Sequence, residues 1–389
     1  MRILEVVDNY YPNTDGVVLV VDNYARLLNK KEGVECVVLA PRYPGAPKAD
    51  GYELVTCFSI SGGIFGPRLP LPVFDGNLRK YLKNETFDLI HCHSPATLAK
   101  YIVRYAKKRN IPLLFTVHTK YHEEINRFLK LNFLQKAILK YTLSSVKKMD
   151  YYWAVSKNVR EVLTDRYGIL VPCKVMRNGT DMTPDCADPK RVEEIKRRFG
   201  LQKEDFVLMT AGRIVSIKNF QTVISAVAIL RDKGISVKML LVGDGDYKHA
   251  LKELVKKLDL TDRVFFIDKT NDRHELAAYY AACDIVPLAS TFDTSSLVIR
   301  EGFAFGKPAM VVRGSAPAEG ITDNVNGYLC ENTPESFADK ILSVAQNRDN
   351  LKVVSENCFR DLYTPWEKIV DDVAAEYEKI LEDFAKAAE

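Results

Sequence analysis

The sequence predicts an α/β protein of two doubly wound, Rossmann-like domains, and three observations predict it. Short apolar strands alternate with amphipathic helices along the whole chain, the pattern of parallel sheets covered by helices. The alternation stops at a turn-rich, apolar-poor segment, Asn178-Gly-Thr-Asp-Met-Thr-Pro-Asp-Cys-Ala-Asp-Pro189, and then restarts. The length, 389 residues, is enough for two domains of ordinary size, each with a full core.

In the first half the apolar runs place strands at Ile3–Val7, Glu35–Ala40, Tyr52–Phe58, Leu89–Cys92, Leu113–Val117 and Tyr151–Val155. Helical periodicity falls near Val17–Asn29, Thr97–Arg109, Glu123–Lys147 and Asn158–Tyr167. The second half repeats the pattern with strands Phe206–Ala211, Lys238–Val242, Val264–Ile267, Asp284–Leu288 and Ala309–Val312. Its helices fall near Asn219–Arg231, Tyr247–Leu258, Arg273–Ala282 and Ser296–Phe305, and the tail from Trp366 to Ala388 reads as one helix. The expected domains are therefore 1–181 and 182–365, with 366–389 packing back on the first. Two such lobes facing across a cleft are expected to bind ligands at the carboxyl ends of their strands.

Hydrophobic content of 47% and charged content of 27% are those of a soluble globular protein. No apolar run approaches the ~20 residues that span a bilayer, and no secretory leader is legible. A cytoplasmic protein is expected, peripheral at the inner face of the membrane. The eight cysteines form no CxxC pair, which argues for reduced thiols over a disulfide framework or zinc ribbon. Net charge is uneven: residues 1–180 hold 27 Lys and Arg against 16 Asp and Glu. Within 100–148 there are 12 basic residues and two acidic ones, Glu123 and Glu124. Such a surface implies an anionic partner or a plain solvated helix face. Aromatics are not interleaved with the basic residues as in a nucleic-acid binder, so no nucleic acid is expected.

The most informative stretch runs from Ser290 through Asp293, Ser295, Ser296, Leu297 and Glu301 to Gly306-Lys-Pro308. It is a strand end, a polar turn and a helix start. Backbone N–H groups at 294–297 and the helix dipole would favour a phosphate there. Asp293 and Glu301 would accept hydrogen bonds from ring or ribose hydroxyls. Gly212-Arg213 through Lys218-Asn219 places two cations five apart after another strand, a spacing that suits a diphosphate or, taken alone, plain surface solvation of both. Gly16, after Asp15, would let backbone approach a phosphate at the first helix, or would be an ordinary turn glycine. His118, at a strand end, would bond a sugar hydroxyl, and zinc at His118 and His122 is disfavoured because the run is not HExxH. His91 and His93 share one face of a strand end, where structural packing is the expectation. Gly243-Asp-Gly245 lacks the third glycine of a dinucleotide fingerprint and reads as a turn into a helix. There is no GxxxxGK[ST] and no GxSxG.

Together these pieces resemble the retaining glycosyltransferases of family 4, and the first-lobe segments Pro12 to Asp15-Gly16, Phe87 to Pro95 and Thr116 to Tyr121 are similar to members that glucosylate diacylglycerol. The resemblance covers the whole chain in order, through Asn178–Asp181, Gly212–Asn219, Val242–Gly245, 293–301 and Asn326-Gly327. It implies the GT-B fold and transfer of a hexose from a UDP- or GDP-sugar to a lipid or glycan, with retention and without a divalent metal or other cofactor. It also implies roles. Arg213 and Lys218 would bind the diphosphate, helped by amides of Gly16 and 295–297. Glu301 would hold the ribose, Asp293 the sugar hydroxyls, and His118 the sugar near the reacting carbon. Two departures fall where the sugar is read: Asp293 stands in place of the usual Glu, and Ser295-Ser296 in place of Phe-Gly or Gln-Gly. The rival expectation is a binding protein or partner subunit that kept the donor pocket without turnover. An epimerase on the same architecture is disfavoured by the ordered motifs.

Overall fold

A computed structural model gives the protein at residues 1–13, 15–46, 48–63 and 68–388, with backbone alone at 127, 128 and 388. The chain folds as two compact units, Met1–Asn178 with Trp366–Glu389, and Gly179–Pro365. The structural break lies three residues before the expected one. Thr180 N–H donates to the Thr364 carbonyl at 3.1 Å, and Met182 is buried in the second unit's core.

The first unit holds strands β1 (Arg2–Val6), β2 (Glu35–Pro41), β3 (Glu53–Cys57), β4 (Ser59–Ser61), β5 (Arg68–Pro70), β6 (Leu89–Cys92), β7 (Leu113–Val117), β8 (Tyr151–Ala154) and β9 (Cys173–Val175). Seven of them form one parallel sheet in the order β3-β2-β1-β6-β7-β8-β9, and β4 pairs antiparallel with β5. Its helices are α1 (Gly16–Leu28), α2 (Gly76–Asn84), α3 (Thr97–Arg109), α4 (Tyr121–Phe128), α5 (Asn132–Val146) and α6 (Lys157–Glu161). Strand order reverses between β1 and β6, so side chains there stand at the topological switch point, where such sheets bind ligands.

The second unit holds β10 (Phe206–Ala211), β11 (Val237–Val242), β12 (Val264–Ile267), β13 (Val286–Leu288), β14 (Ala309–Val312) and β15 (Tyr328–Cys330). They form two parallel three-stranded sheets joined by a bridge between Leu208 and Ile285. Helices α7 (Pro189–Arg198), α8 (Phe220–Asp232), α9 (Lys248–Lys257), α10 (Arg273–Ala282), α11 (Leu297–Ala304), α12 (Pro334–Gln346) and α13 (Arg348–Leu362) cover them. The last helix, α14 (Trp366–Ala388), belongs to the first unit.

Two expected helices are corrected. The run 123–147 is two helices, because Leu129 and Leu131 are extended and end the first before Asn132 starts the second. The run 158–167 passes from α-helix to a π turn at Val162–Arg166. Periodicity also leaves out α2, α7, α12 and α13, whose polar faces dilute their apolar stripes, and the three-residue strands β9 and β15.

Candidate active site

In the second unit the predicted residues come together around the carboxyl ends of β10 and β13. The loop after β10 carries Gly212, Arg213 and Lys218. Arg213 is exposed and has no hydrogen-bond or ion-pair partner among the described residues. Lys218 Nζ pairs with Asp293 Oδ1, so the two groups assigned to different parts of a donor meet each other here. Asn219 closes the loop in a left-handed conformation at φ 55°. Its amide donates to the Ala289 carbonyl at 3.2 Å and thereby ties the loop to the end of β13.

The glycines of 243–245 have a cause that a turn alone does not supply. Ile214 N–H donates to the Asp244 carbonyl at 2.8 Å, and Gly212 N–H to that of Val242 at 3.0 Å. A Cβ on Gly243 would lie 2.0 Å from the Gly212 oxygen, and one on Gly245 2.2 Å from that of Ile214. The two glycines let one backbone lie directly on the loop that presents Arg213.

The turn from Ser290 leads into α11. Ser290 Oγ accepts from the N–H groups of Phe292 and Asp293 at 3.2 and 3.3 Å, which fixes the turn. Ser296 is the N-cap residue but makes no side-chain capping bond, so the first amides of α11 have no side-chain partner from it. Asp293 Oδ2, Ser295 Oγ and Ser296 Oγ are buried and unpartnered. Buried polar groups are seldom left so, and three on one turn mark a place shaped for a ligand with hydrogen-bonding groups of its own.

Glu301 lies within α11, 5% exposed. Its Oε2 accepts from the Tyr280 hydroxyl at 2.7 Å, and its Oε1 meets Arg273 Nη2 at 2.9 Å. Arg273 also donates through Nε to Asp181 Oδ2 at 3.0 Å, so one guanidinium bridges two carboxylates. Burial pushes the Glu301 carboxyl above its ordinary value, and Arg273 draws it back. Sequence reasoning missed Arg273: nothing local marks an arginine 28 residues before its partner.

In the first unit Gly16 opens α1, but the helix start is already served. Asp15 Oδ1 accepts from the N–H groups of Val17 and Val18, both at 2.9 Å, and its charge faces the helix dipole. Thr14, within the same motif, lies outside the described residues. His118 is 8% exposed and its Nε2 lies 2.9 Å from His93 Nδ1. His93 Nε2 lies 2.6 Å from Glu5 Oε2, and Tyr377 donates to Glu5 Oε1 at 2.7 Å. His91 Nδ1 lies 2.6 Å from the Tyr377 oxygen and its Nε2 lies 2.6 Å from Thr116 Oγ1. The packing expected for His91 and His93 is thus a hydrogen-bond chain around a buried carboxylate. Burial opposes charge on Glu5, but the His91 and His93 rings outweigh it and hold the carboxyl below its ordinary range. Burial pushes His91 down to about 4, and burial with His93 and His91 pushes His118 well down, so both rings are neutral. Ligand atoms of Glu5, His91 and His93 lie within 4.8 Å of one another, as metal ligands would. Each already meets a hydrogen-bond partner, and all three residues are fully buried, so the chain of bonds satisfies them as they stand.

The whole chain is similar to solved structures of this architecture. Sucrose-phosphate synthase from Thermosynechococcus elongatus is 18% identical over 98% of this chain and 99% of its own, with a TM-score of 0.80. Anabaena HepE in complex with UDP-glucose is 18% identical over 97% and 100%, with a TM-score of 0.74. The fold is that of the GT-B glycosyltransferases. The family model for glycosyl transferases group 1 matches residues 191–360 and that for glycosyltransferase family 4 matches 14–183, and the chain belongs to glycosyltransferase family 4. Alpha-monoglucosyldiacylglycerol synthase of Streptococcus pneumoniae is 25% identical over 334 residues, 85% of this chain and 75% of that protein. The enzyme of the same name from Acholeplasma laidlawii is 22% identical over 387 residues, 92% and 91% of the two chains.

Proposed function

We propose that this glycosyltransferase moves a hexose from a UDP- or GDP-sugar to a lipid or cell-surface glycan, with retention of anomeric configuration and without a divalent metal. The observation that carries the reading is the turn at 293–296, with Asp293 Oδ2, Ser295 Oγ and Ser296 Oγ buried and unpartnered at an uncapped helix start. Leaving such groups unmet costs about 1–3 kcal/mol each, and sugar hydroxyls would meet them. The exposed Arg213 suits a diphosphate, which would also compete with Asp293 for Lys218 and release that carboxylate towards the sugar. Stabilising the departing diphosphate is then the main catalytic task, and fixed cations with helix amides supply it without a metal. Retention follows when the acceptor enters on the face the diphosphate leaves, with a phosphate oxygen taking its proton.

A lipid acceptor is supported by the similarity to two alpha-monoglucosyldiacylglycerol synthases and by α5. Its exposed residues include Phe133, Lys136, Lys140 and Tyr141, and exposed Lys147 and Lys148 follow directly after the helix, apolar and basic side chains together as on helices that lie in an anionic interface. At about 1 kcal/mol per basic residue near such a surface, reversing the four lysines should weaken liposome binding at least a hundredfold. Unchanged sedimentation with anionic liposomes would remove the membrane proposal.

The donor is tested by a thermal-shift panel of UDP, GDP, UDP-glucose, UDP-galactose, UDP-N-acetylglucosamine and GDP-mannose, each with and without EDTA. One nucleotide family should raise Tm regardless of EDTA, and Asp293→Ala should lose turnover. A shift abolished by EDTA would overturn metal independence, and no shift from any donor would overturn the donor assignment.

A further inference from the structure

We infer that Arg273, clamped by Asp181, is a positioning residue that aims the carboxylate of Glu301 at the hydroxyls of a nucleotide ribose. The inference rests on the reading of a UDP- or GDP-sugar as the donor and of Glu301 as the group that accepts from its ribose.

The grip on Glu301 is built by one face of α10. Arg273 and Tyr280 stand seven residues apart on that helix, which puts them on the same face two turns from each other. Each takes one oxygen of the carboxylate: Tyr280 donates to Oε2 at 2.7 Å, and Arg273 Nη2 meets Oε1 at 2.9 Å. Two anchors on two oxygens fix the carboxylate plane, which a single contact would leave free to turn about the last side-chain bond. Tyr280 is fully buried, whereas a third of the Arg273 side chain is exposed. Arg273 is therefore the anchor that a ligand can reach.

So exposed an arginine needs a clamp of its own, and Asp181 supplies it. Asp181 Oδ2 accepts from Nε at 3.0 Å and Oδ1 accepts from Nη2, the two-pronged pairing that sets the plane of a guanidinium and that a lysine cannot make. Asp181 is itself placed by its neighbours. The Thr180 hydroxyl accepts from the Met182 N–H at 3.1 Å, and Met182 is fully buried. Farther along, Arg191 Nη1 donates to Asp272 Oδ2 at 2.6 Å, and His274 Nδ1 lies 3.0 Å from the Cys186 carbonyl oxygen. Asp272, Arg273 and His274 thus each bond the segment 181–191. With the Nε–Nη2 edge given to Asp181, the Nη1–Nη2 edge remains, and Nη1 has no partner among the described residues. A ribose hydroxyl both donates and accepts, so one that donates to Glu301 can accept from Nη1. Charge acts in the same sense. Burial pushes the Glu301 carboxyl up towards its protonated form, and Arg273 favours the ion, which only accepts.

The test is calorimetric titration of the full-length protein with UDP and 2′,3′-dideoxy-UDP, and with GDP and 2′,3′-dideoxy-GDP. For one of the two bases the wild type should prefer the ribonucleotide by about tenfold or more, the worth of a hydrogen bond to a charged group. Glu301→Gln should lose most of that preference. Arg273→Lys keeps the charge but not the fork, and Asp181→Asn loosens the fork while leaving Arg273 beside Glu301. Each should bring the preference down towards that of Glu301→Gln and leave affinity for the dideoxynucleotide as in the wild type. Asp181→Asn carries the test alone if Arg273→Lys does not fold. A wild-type preference retained in the Arg273 and Asp181 variants would overturn the inference. So would an equal loss of affinity for both nucleotides, which marks packing rather than aim. A wild type that binds ribo- and dideoxynucleotide alike, or a Glu301→Gln variant that keeps the preference, would defeat the reading of Glu301 and the inference with it. Binding of neither base in any form would defeat the donor assignment itself, and the inference would fall with it.

Discussion

Glu301 is buried, and burial favours its neutral form, while Arg273 and Tyr280 favour the ion. The net direction is upward. A carboxyl whose pKa is higher in the folded than in the unfolded chain contributes stability that is present below the unfolded value and lost as pH rises through the folded one. Arg273 is what limits that loss. Arg273→Ala should therefore raise the Glu301 pKa further and destabilise the protein more at pH 8 than at pH 5. Breaking a fully buried pair costs about 3–5 kcal/mol, but this guanidinium is a third exposed, so roughly 2 kcal/mol at pH 8 is expected after solvent screening. Urea unfolding at the two pH values measures it. Adding Glu301→Gln should recover most of the loss, since no buried charge is then left unpaired. Equal destabilisation at both pH values would show that Arg273 acts by packing alone. Asp293 and Glu301 are legible in sequence because each sits at a fixed offset from a strand end. Their pairings, with Lys218, Arg273 and Tyr280, are set by tertiary approach and carry no local signal.

At the scale of elements, the loop after β10 is shaped by the loop after β11. Gly243→Ala would place a Cβ 2.0 Å from a backbone oxygen, which cannot swing aside as a side chain does. The strand ends must separate, with loss of the bond from Gly212 N–H to Val242 and displacement of Arg213. A cost of at least about 2 kcal/mol follows from the lost bond and the forced backbone shift. Two readouts should move together: a lower Tm, and weaker binding of whichever nucleotide stabilises the wild type. A variant with normal Tm and normal nucleotide binding would mean the loops part without consequence. The same scale explains which elements periodicity finds. Strands such as β6, β7 and β12 are short and mostly apolar, with at most one polar residue each, and their limits are read to the residue. The division of α4 from α5 is not, because Leu129-Lys-Leu131 holds neither glycine nor proline and continues a helical pattern that the backbone abandons.

For the molecule as a whole, the sequence is discontinuous in a way its order hides. The first unit takes its last helix from the far end of the chain, and α14 is not an appendage. Trp366, Ile369, Val370, Val373, Tyr377 and Ile380 are all buried. Trp366 meets Tyr24 edge-on at 5.9 Å, and Tyr377 stacks on Trp153 at 5.4 Å. Lys31 and Lys174 pair with Asp371 and Glu376. Burying one large apolar side chain contributes about 1.5–3 kcal/mol, so six together reach about 9–18 kcal/mol as an upper bound. That matches or exceeds the ~5–15 kcal/mol of net stability in an ordinary domain. Chain 1–365 should therefore lose the fold of its first unit, while 179–365, with a core of its own, should keep the second. Both tryptophans, Trp153 and Trp366, lie in the first unit, so fluorescence reports that unit alone. In the truncated chain Trp153 should emit as a solvent-exposed indole, with a substantial helical signal remaining in circular dichroism and a cooperative urea transition seen only by the latter. A buried emission from Trp153, with a fluorescence transition at the midpoint of the full-length protein, would show that the sheet and its other helices suffice and that α14 serves the site rather than the fold.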